Sequence, residues 1–288
     1  MKLSVSLTNY SWPTNDIASQ IASLAERLDS TAVDTLWVAD HLLQADPASS
    51  PQEPMLEAYT TLGFLAASTT RLRLGTMVTG ATFRAAALLV KAVTTVDVLS
   101  RGRAWLGIGA GYNADEASAM GLHLPPTAER FGYLTELVQL ARRMWDGNES
   151  AFCGTHLQLT HPVGRPLPVS GRLPVLIGGA GEQRTLRLVA EHGDACNLFD
   201  IPDGGQTLKR KREVLQQHCA DVGRPYDEVE RTVTTAVDNA SGEPLLDSCV
   251  RLAALDVQHV VLITRGRPWT AADCDTIAAA ADRLADVG

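Results

Sequence analysis

Short apolar runs alternate with helix-spaced stretches eight times along this chain, and that alternation constrains the fold more than any other feature. The runs are Leu3–Leu7, Thr35–Ala39, Arg71–Val78, Arg103–Ile108, Leu173–Ile177, Asp194–Phe199, Glu230–Val237 and Gln258–Ile263. Each is short, largely apolar and bounded by turn residues, as expected of a strand buried on both faces of a parallel sheet. Between them lie stretches whose apolar residues recur at helical spacing. Ile17, Ile21, Leu24, Ala25 and Leu28 form one such set, and Leu134, Leu137, Val138, Ala141 and Trp145 form another. Further helices are expected from near Pro54 through Tyr59, Leu62, Leu65 and Ala66, and over Ala85–Leu99, Glu182–His192, Gly205–Val222 and Pro244–Leu255. The last opens at Thr270-Ala-Ala-Asp273, a capping box with the acid at its third position. Eight βα units in 288 residues predict a closed α/β architecture, the (β/α)8 TIM barrel. A two-domain, doubly wound sheet would need a boundary, and 148–172 is the one candidate. The barrel accounts for that segment as a rim insertion after the fourth helix, within a single domain spanning 1–288.

Glycines mark the fourth strand. Gly102 stands where a helix would end in a left-handed residue, and Gly107, Gly109 and Gly111 alternate as the next strand runs out. Without a Cβ, the backbone can approach a flat ring or a phosphate closely. Packing alone is the plainer reading of any one of these glycines. A dinucleotide fingerprint would want a third glycine where Ala114 stands.

A formal charge of -8, with Lys209–Arg212 the sole dense basic run, argues against a nucleic-acid surface. The five cysteines are scattered and never in a Cys-x-x-Cys pair, so neither a disulfide framework nor a zinc site is implied. No apolar run reaches the roughly 18 residues of a membrane span. The start, Met1–Leu7, lacks the long apolar core of a signal peptide. A soluble, cytoplasmic protein is expected.

In a (β/α)8 barrel the site lies at the C-terminal ends of the strands. Tyr10–Trp12, Asp40, His41, Met77–Thr79, Gly109–Asn113, Gly178–Gly181 and Asn197 fall there. The set is glycine-rich, apolar and aromatic, with no carboxylate cluster, no metal-hydrolase pattern and no Gly-x-Ser-x-Gly elbow. Such a mouth suits a large planar cofactor that carries the chemistry itself.

Several pieces resemble the bacterial luciferase-like oxidoreductases, particularly the actinobacterial branch that uses the deazaflavin coenzyme F420. They are Trp37-Val-Ala-Asp-His41, Glu53-Pro-Met-Leu-Glu-Ala-Tyr59, Arg73-Leu-Gly-Thr76, Val78-Thr-Gly80, Leu99-Ser-Arg-Gly-Arg103 and Gly107-Ile-Gly-Ala-Gly111. Ile177–Arg187 and Ala195-Cys-Asn-Leu-Phe199 complete the series, in order over almost the whole chain. The resemblance implies a cofactor site at Asp40, Met77, Val78, Thr79, Gly109, Ala110, Gly111 and Tyr112, with a cis peptide between Met77 and Val78 backing the ring. It places the phosphate at Gly178, Gly179, Ala180 and Gly181, where a glycine turn entering a helix offers free N–H groups. His41 and Tyr112 are the catalytic candidates, because an imidazole with an ordinary pKa of about 6.5 can exchange a proton near neutrality.

Two departures set the chain apart from the sugar-phosphate dehydrogenases of that branch. Tyr112 stands where they carry an acid, and Leu42-Leu-Gln44 stands where they carry a tryptophan. The expected function is hydride transfer between F420 and a small organic substrate. The alternatives are a two-component monooxygenase that takes reduced FMN from a separate reductase, and a non-catalytic flavin-binding protein. Arg84, Arg184 and Arg187 are candidates for the polyglutamate tail of F420, and apolar helices over 55–67 and 85–99 suggest a homodimer.

Overall fold

A computed structural model describes residues 1–14, 16–238 and 243–285. Its strands are β1 Lys2–Leu7, β2 Thr35–Val38, β3 Arg73–Thr76, β4 Thr79–Gly80, β5 Ala104–Gly109, β6 Phe152–Cys153, β7 Gln158–Leu159, β8 Val175–Gly178, β9 Ala195–Phe199, β10 Glu230–Ala236 and β11 His259–Ile263. The helices are α1 Ile17–Asp29, α2 Ala58–Ser68, α3 Ala86–Leu99, α4 Ala114–Met120, α5 Thr127–Trp145, α6 Thr185–His192, α7 Gln206–Asp221, α8 Leu245–Ala254 and α9 Ala271–Ala285. Eight parallel strands pair in the order β1-β2-β3-β5-β8-β9-β10-β11, and β11 returns to β1 through Leu3 opposite Val260. The barrel is closed. β4 is the continuation of β3 beyond a cis Met77–Val78 peptide, and it rejoins β5 with Thr79 opposite Ile108.

Strand alternation divides the interior into layers. Trp37, Trp105, Leu176, Ala195 and Val261 fill the middle one, and the two indoles lie 5.7 Å apart. Gly75 makes room for them, because a Cβ there would sit 2.8 Å from both Trp105 Cβ and Trp37 Cζ3. Beneath them, at the foot of the barrel, His259 is bracketed by Ser4 and by Glu230, whose carboxylate lies 2.8 Å from Nδ1. Burial pushes the Glu230 carboxyl up, but His259 and Lys2 more than offset that and hold it down at about 2.

The helix caps bear out the local chemistry. Asp16 caps α1, taking the Ser19 N–H at 3.1 Å, and Thr270 and Asp273 exchange hydrogen bonds of 2.8 and 3.2 Å at the start of α9. Gly102 adopts a φ of 89° after α3, as a helix-ending residue should. Arg103 then reaches the carbonyls of Ser100, Ala66 and Thr69, tying the ends of α2 and α3 together. Two helices start later than their sequence suggests. α2 begins at Ala58 because Glu57 caps it through the Thr60 N–H at 2.7 Å, and Glu182 to Arg184 form a turn before α6.

The excursion 148–172 holds the β6–β7 hairpin between α5 and β8. Glu136 of α5 accepts the N–H groups of Thr155, His156 and Leu157 at 2.7–2.8 Å, so the hairpin lies along the flank of α5. The chain then returns to the foot, where the Val169 N–H meets Asp97 at 2.8 Å. None of its residues lines the mouth.

Candidate active site

A cavity of about 430 Å³ opens at the C-terminal ends of the strands. One wall is the kink after β3. Met77, Val78 and Thr79 line it beside Gly109, Ala110, Gly111 and Tyr112. The glycines opposite Val78 are spacers. A Cβ on Gly178 or Gly109 would come within 2.8 or 3.1 Å of a Val78 methyl, and one on Gly107 would lie 1.7 Å from the Thr76 carbonyl oxygen. For Gly107 the packing reading therefore applies, and Gly107 itself does not reach the cavity.

A hydrogen-bonded buttress stands behind this wall. Tyr59 Oη lies 2.8 Å from Thr79 Oγ1, Thr79 donates to Thr76 at 3.0 Å, and Thr76 donates to the Gly107 carbonyl at 2.7 Å. Arg84 stacks over the Tyr59 ring at 4.7 Å and grips Asp40 with two bonds of 2.6 and 2.9 Å, while also reaching Glu57. Asp40 thus lines the cavity with its charge already paired, and Arg84 is committed to that pair. A bidentate guanidinium–carboxylate contact fixes both planes.

His41 follows Asp40 and meets a partner that the sequence did not single out. Its Nδ1 lies 2.7 Å from Oε2 of Glu116, on the first turn of α4. Oε1 of the same carboxylate accepts the N–H groups of Leu42 and Leu43 at 2.6 and 3.1 Å. Burial raises the Glu116 carboxyl, but the His41 bond and the two N–H groups outweigh it and leave the group below its ordinary value. The Glu116 side chain is 1% exposed. Asn113 positions it by capping α4 through the Glu116 N–H at 3.1 Å. Tyr112 packs edge-on against the His41 ring at 5.8 Å, and burial together with the Glu116 charge raises its phenol above the ordinary value.

At the turn after β8, Gly178 and Gly179 line the cavity with Thr185, whereas Ala180 and Gly181 lie outside its wall. The Ala180 carbonyl instead accepts Lys211 Nζ at 2.6 Å. Arg184 stacks on Phe131, and Arg187 pairs with Glu191 of its own helix at 2.6 Å. The guanidinium that does reach the cavity here is Arg130 of α5. It donates to the Pro125 carbonyl at 2.7 Å and to Thr127 at 3.2 Å, and its buried Nε has no protein partner. Tyr10 and Trp12 turn away into packing. Tyr10 is buried, and the Trp12 indole donates to the Trp269 carbonyl at 2.9 Å. Ser6, Thr8, Asn197, Thr234 and Thr264 give the rest of the lining its polar groups, and Met55, Phe83, Phe199 and Ile263 its apolar ones.

Among the described residues no cluster of three His, Cys, Asp or Glu could hold a metal ion, and no helix is long and apolar enough to cross a membrane.

An uncharacterized protein of Mycobacterium tuberculosis is 28% identical over 285 residues, covering 94% of this chain and 95% of that protein. An F420-dependent glucose-6-phosphate dehydrogenase of Kineococcus radiotolerans is 33% identical over 141 residues, which span 49% of this chain and 41% of that protein. The solved structure of an F420-dependent secondary alcohol dehydrogenase, in complex with an F420–acetone adduct, superposes with a TM-score of 0.81 at 16% identity, over 97% of both chains. The family model described as luciferase-like monooxygenase matches residues 1–241, and the chain belongs to that family.

Proposed function

We propose that this protein is an F420-dependent oxidoreductase that moves a hydride between the deazaflavin and a small organic substrate. The observation that carries the reading is the His41–Glu116 pair at the edge of an apolar cavity walled by Val78, Gly109 and Gly111. At Gly109 and Gly111 that wall offers a flat ring a surface without side-chain bulk. Gly178 and Gly179 with Arg130, whose buried Nε has no protein partner, suit an anionic side chain at the far end. The cofactor, when bound, supplies the hydride acceptor or donor. The protein's share is the proton. With Nδ1–H held by the Glu116 carboxylate, His41 keeps Nε2 as an acceptor for the hydroxyl proton of a substrate being oxidised, and returns that proton in the opposite direction. Tyr112, protonated at neutral pH, is a second donor at the mouth.

Fluorescence titration tests the cofactor assignment. F420 is expected to bind with micromolar or better affinity and FMN at least tenfold more weakly, about 1.4 kcal/mol. The reverse order, accompanied by oxygen uptake with reduced FMN, would favour the two-component monooxygenase.

The active form on this reading is a homodimer through the faces of α2 and α3. Phe64 and Leu88, 43% and 60% exposed, are the apolar side chains available for it. Light scattering at micromolar concentration should give twice the chain mass, and a monomer mass would contradict the assignment.

A further inference from the structure

The cavity wall formed by the ends of β1 and β11 differs in kind from the wall beside Val78. Ser6 and Thr264 are each 1% exposed, they line the cavity, and neither hydroxyl has a hydrogen-bond partner. Thr8 Oγ1, on the same wall, is likewise buried and unpartnered. Their neighbours are already engaged, since Thr234 donates to Asn197 at 3.1 Å and Asn197 donates to Thr232 at 2.8 Å. Hydroxyls buried without partners are rare in a folded protein, and a ligand that completes those on this wall removes the penalty of leaving them unmade.

The charges around the cavity limit what that ligand is. Asp40 is neutralised by Arg84, and Arg130 stands at the far end beside Phe131. On the hydroxyl side Asp46 and Arg265 remain, one of each sign. Both Asp46 oxygens are held by backbone, the Ala48 and Gly266 N–H groups at 2.9 and 2.6 Å, and Arg265 is exposed at the rim. Hydroxyls alone do not compensate a buried carboxylate or phosphate. They do serve both members of a redox pair, because a hydroxyl rotor donates to a carbonyl and either donates to or accepts from an alcohol.

We propose that Ser6, Thr8 and Thr264 form the substrate subsite, and that the substrate is uncharged and carries at least two hydroxyl or carbonyl oxygens, as a diol or hydroxyketone does. The assignment rests on the oxidoreductase reading and adds the substrate class to it. In the oxidation, the carbinol carbon gives its hydride to the oxidised deazaflavin and the hydroxyl gives its proton to His41 Nε2, leaving the carbonyl product and the reduced cofactor.

Three near-isosteric probes separate the possibilities: propane-1,2-diol, propan-2-ol and lactate. Binding is followed by saturation-transfer NMR on the full chain, with and without F420, so that it reads independently of turnover. The diol is expected to bind at least about fivefold more tightly than either of the others. Ser6→Ala and Thr264→Val, each close to isosteric, should abolish that preference without lowering the melting temperature or weakening F420 binding. Equal binding of propan-2-ol, tighter binding of lactate, or a diol preference that survives both substitutions would overturn the subsite. Loss of F420 binding by the unsubstituted protein would instead count against the oxidoreductase reading, and the probe order on the unloaded protein would still decide the subsite.

Discussion

Gly107→Ala is expected to destabilise the protein by about 3 kcal/mol, which lowers the melting temperature by roughly 6 °C or more in a chain of this size. The added Cβ would lie 1.7 Å from the carbonyl oxygen of Thr76, and that oxygen belongs to backbone rather than to a side chain able to swing away. Neither strand is free to give. Leu74 is in register with Ala104 below the contact and Thr79 with Ile108 above it, while Thr76 Oγ1 is bonded to the Gly107 carbonyl at 2.7 Å. The Val78 side chain approaches the same point, so the cavity wall should move with it, and on the proposed reading cofactor binding weakens as well. Gly63→Ala is the matched control. It lies within α2 with nothing within 4 Å of the new Cβ, so it should be neutral or stabilising by about 0.5–1 kcal/mol. Thermal and urea unfolding of the two variants decide the matter. Equal stabilities would mean that the strands do not approach as closely as described.

The barrel was legible because every one of its strands must be buried on both faces, which leaves short apolar runs that glycine, proline and helix caps punctuate plainly. The wall from Met77 to Tyr112 was legible through glycine spacing and through resemblance, although that spacing did not reveal that Gly107 makes room for a carbonyl and not for a ligand. Pairings between distant charges were not legible. Arg84 reads as a free cation after the third strand, yet it closes on Asp40, forty-four positions earlier. Glu116 lies on Ala-Asp-Glu-Ala-Ser-Ala-Met, a helix without apolar periodicity, and its partner His41 is seventy-five positions away. Nothing in the sequence marks Arg130, because periodicity does not show that the start of α5 overhangs the mouth. One signal was present and unused. Leu3-Ser-Val-Ser-Leu7 alternates inside a parallel barrel, where the outward face must be apolar to meet helices, so its serines belong to the interior.

Glu116→Gln should leave the fold and the cofactor affinity in place and cut turnover by about a hundredfold, the lower end of what a positioned acid–base group contributes. The amide keeps an oxygen for the Leu42 and Leu43 N–H groups, so the turn after Asp40 retains its bonds. Toward His41 it presents an NH2 donor where the carboxylate accepted at 2.7 Å. Nδ1 must then accept, the ring proton moves to Nε2, and Nε2 becomes a donor unable to take a substrate proton. Imidazole ¹⁵N shifts report this tautomer directly, without any substrate. Glu116→Ala should match the loss of turnover and also lose about 1–3 kcal/mol of stability, because it leaves two backbone N–H groups unpaired. Acid should release the same contact in the native protein, by protonating the carboxylate. The Glu116 carboxyl is held below its ordinary 4.5, so the interaction is intact above that pH and is lost as the pH falls through the lowered value. A Glu116→Gln variant with the native tautomer and the native rate would remove His41 from the proton transfer, and Tyr112 would then be the group to substitute next.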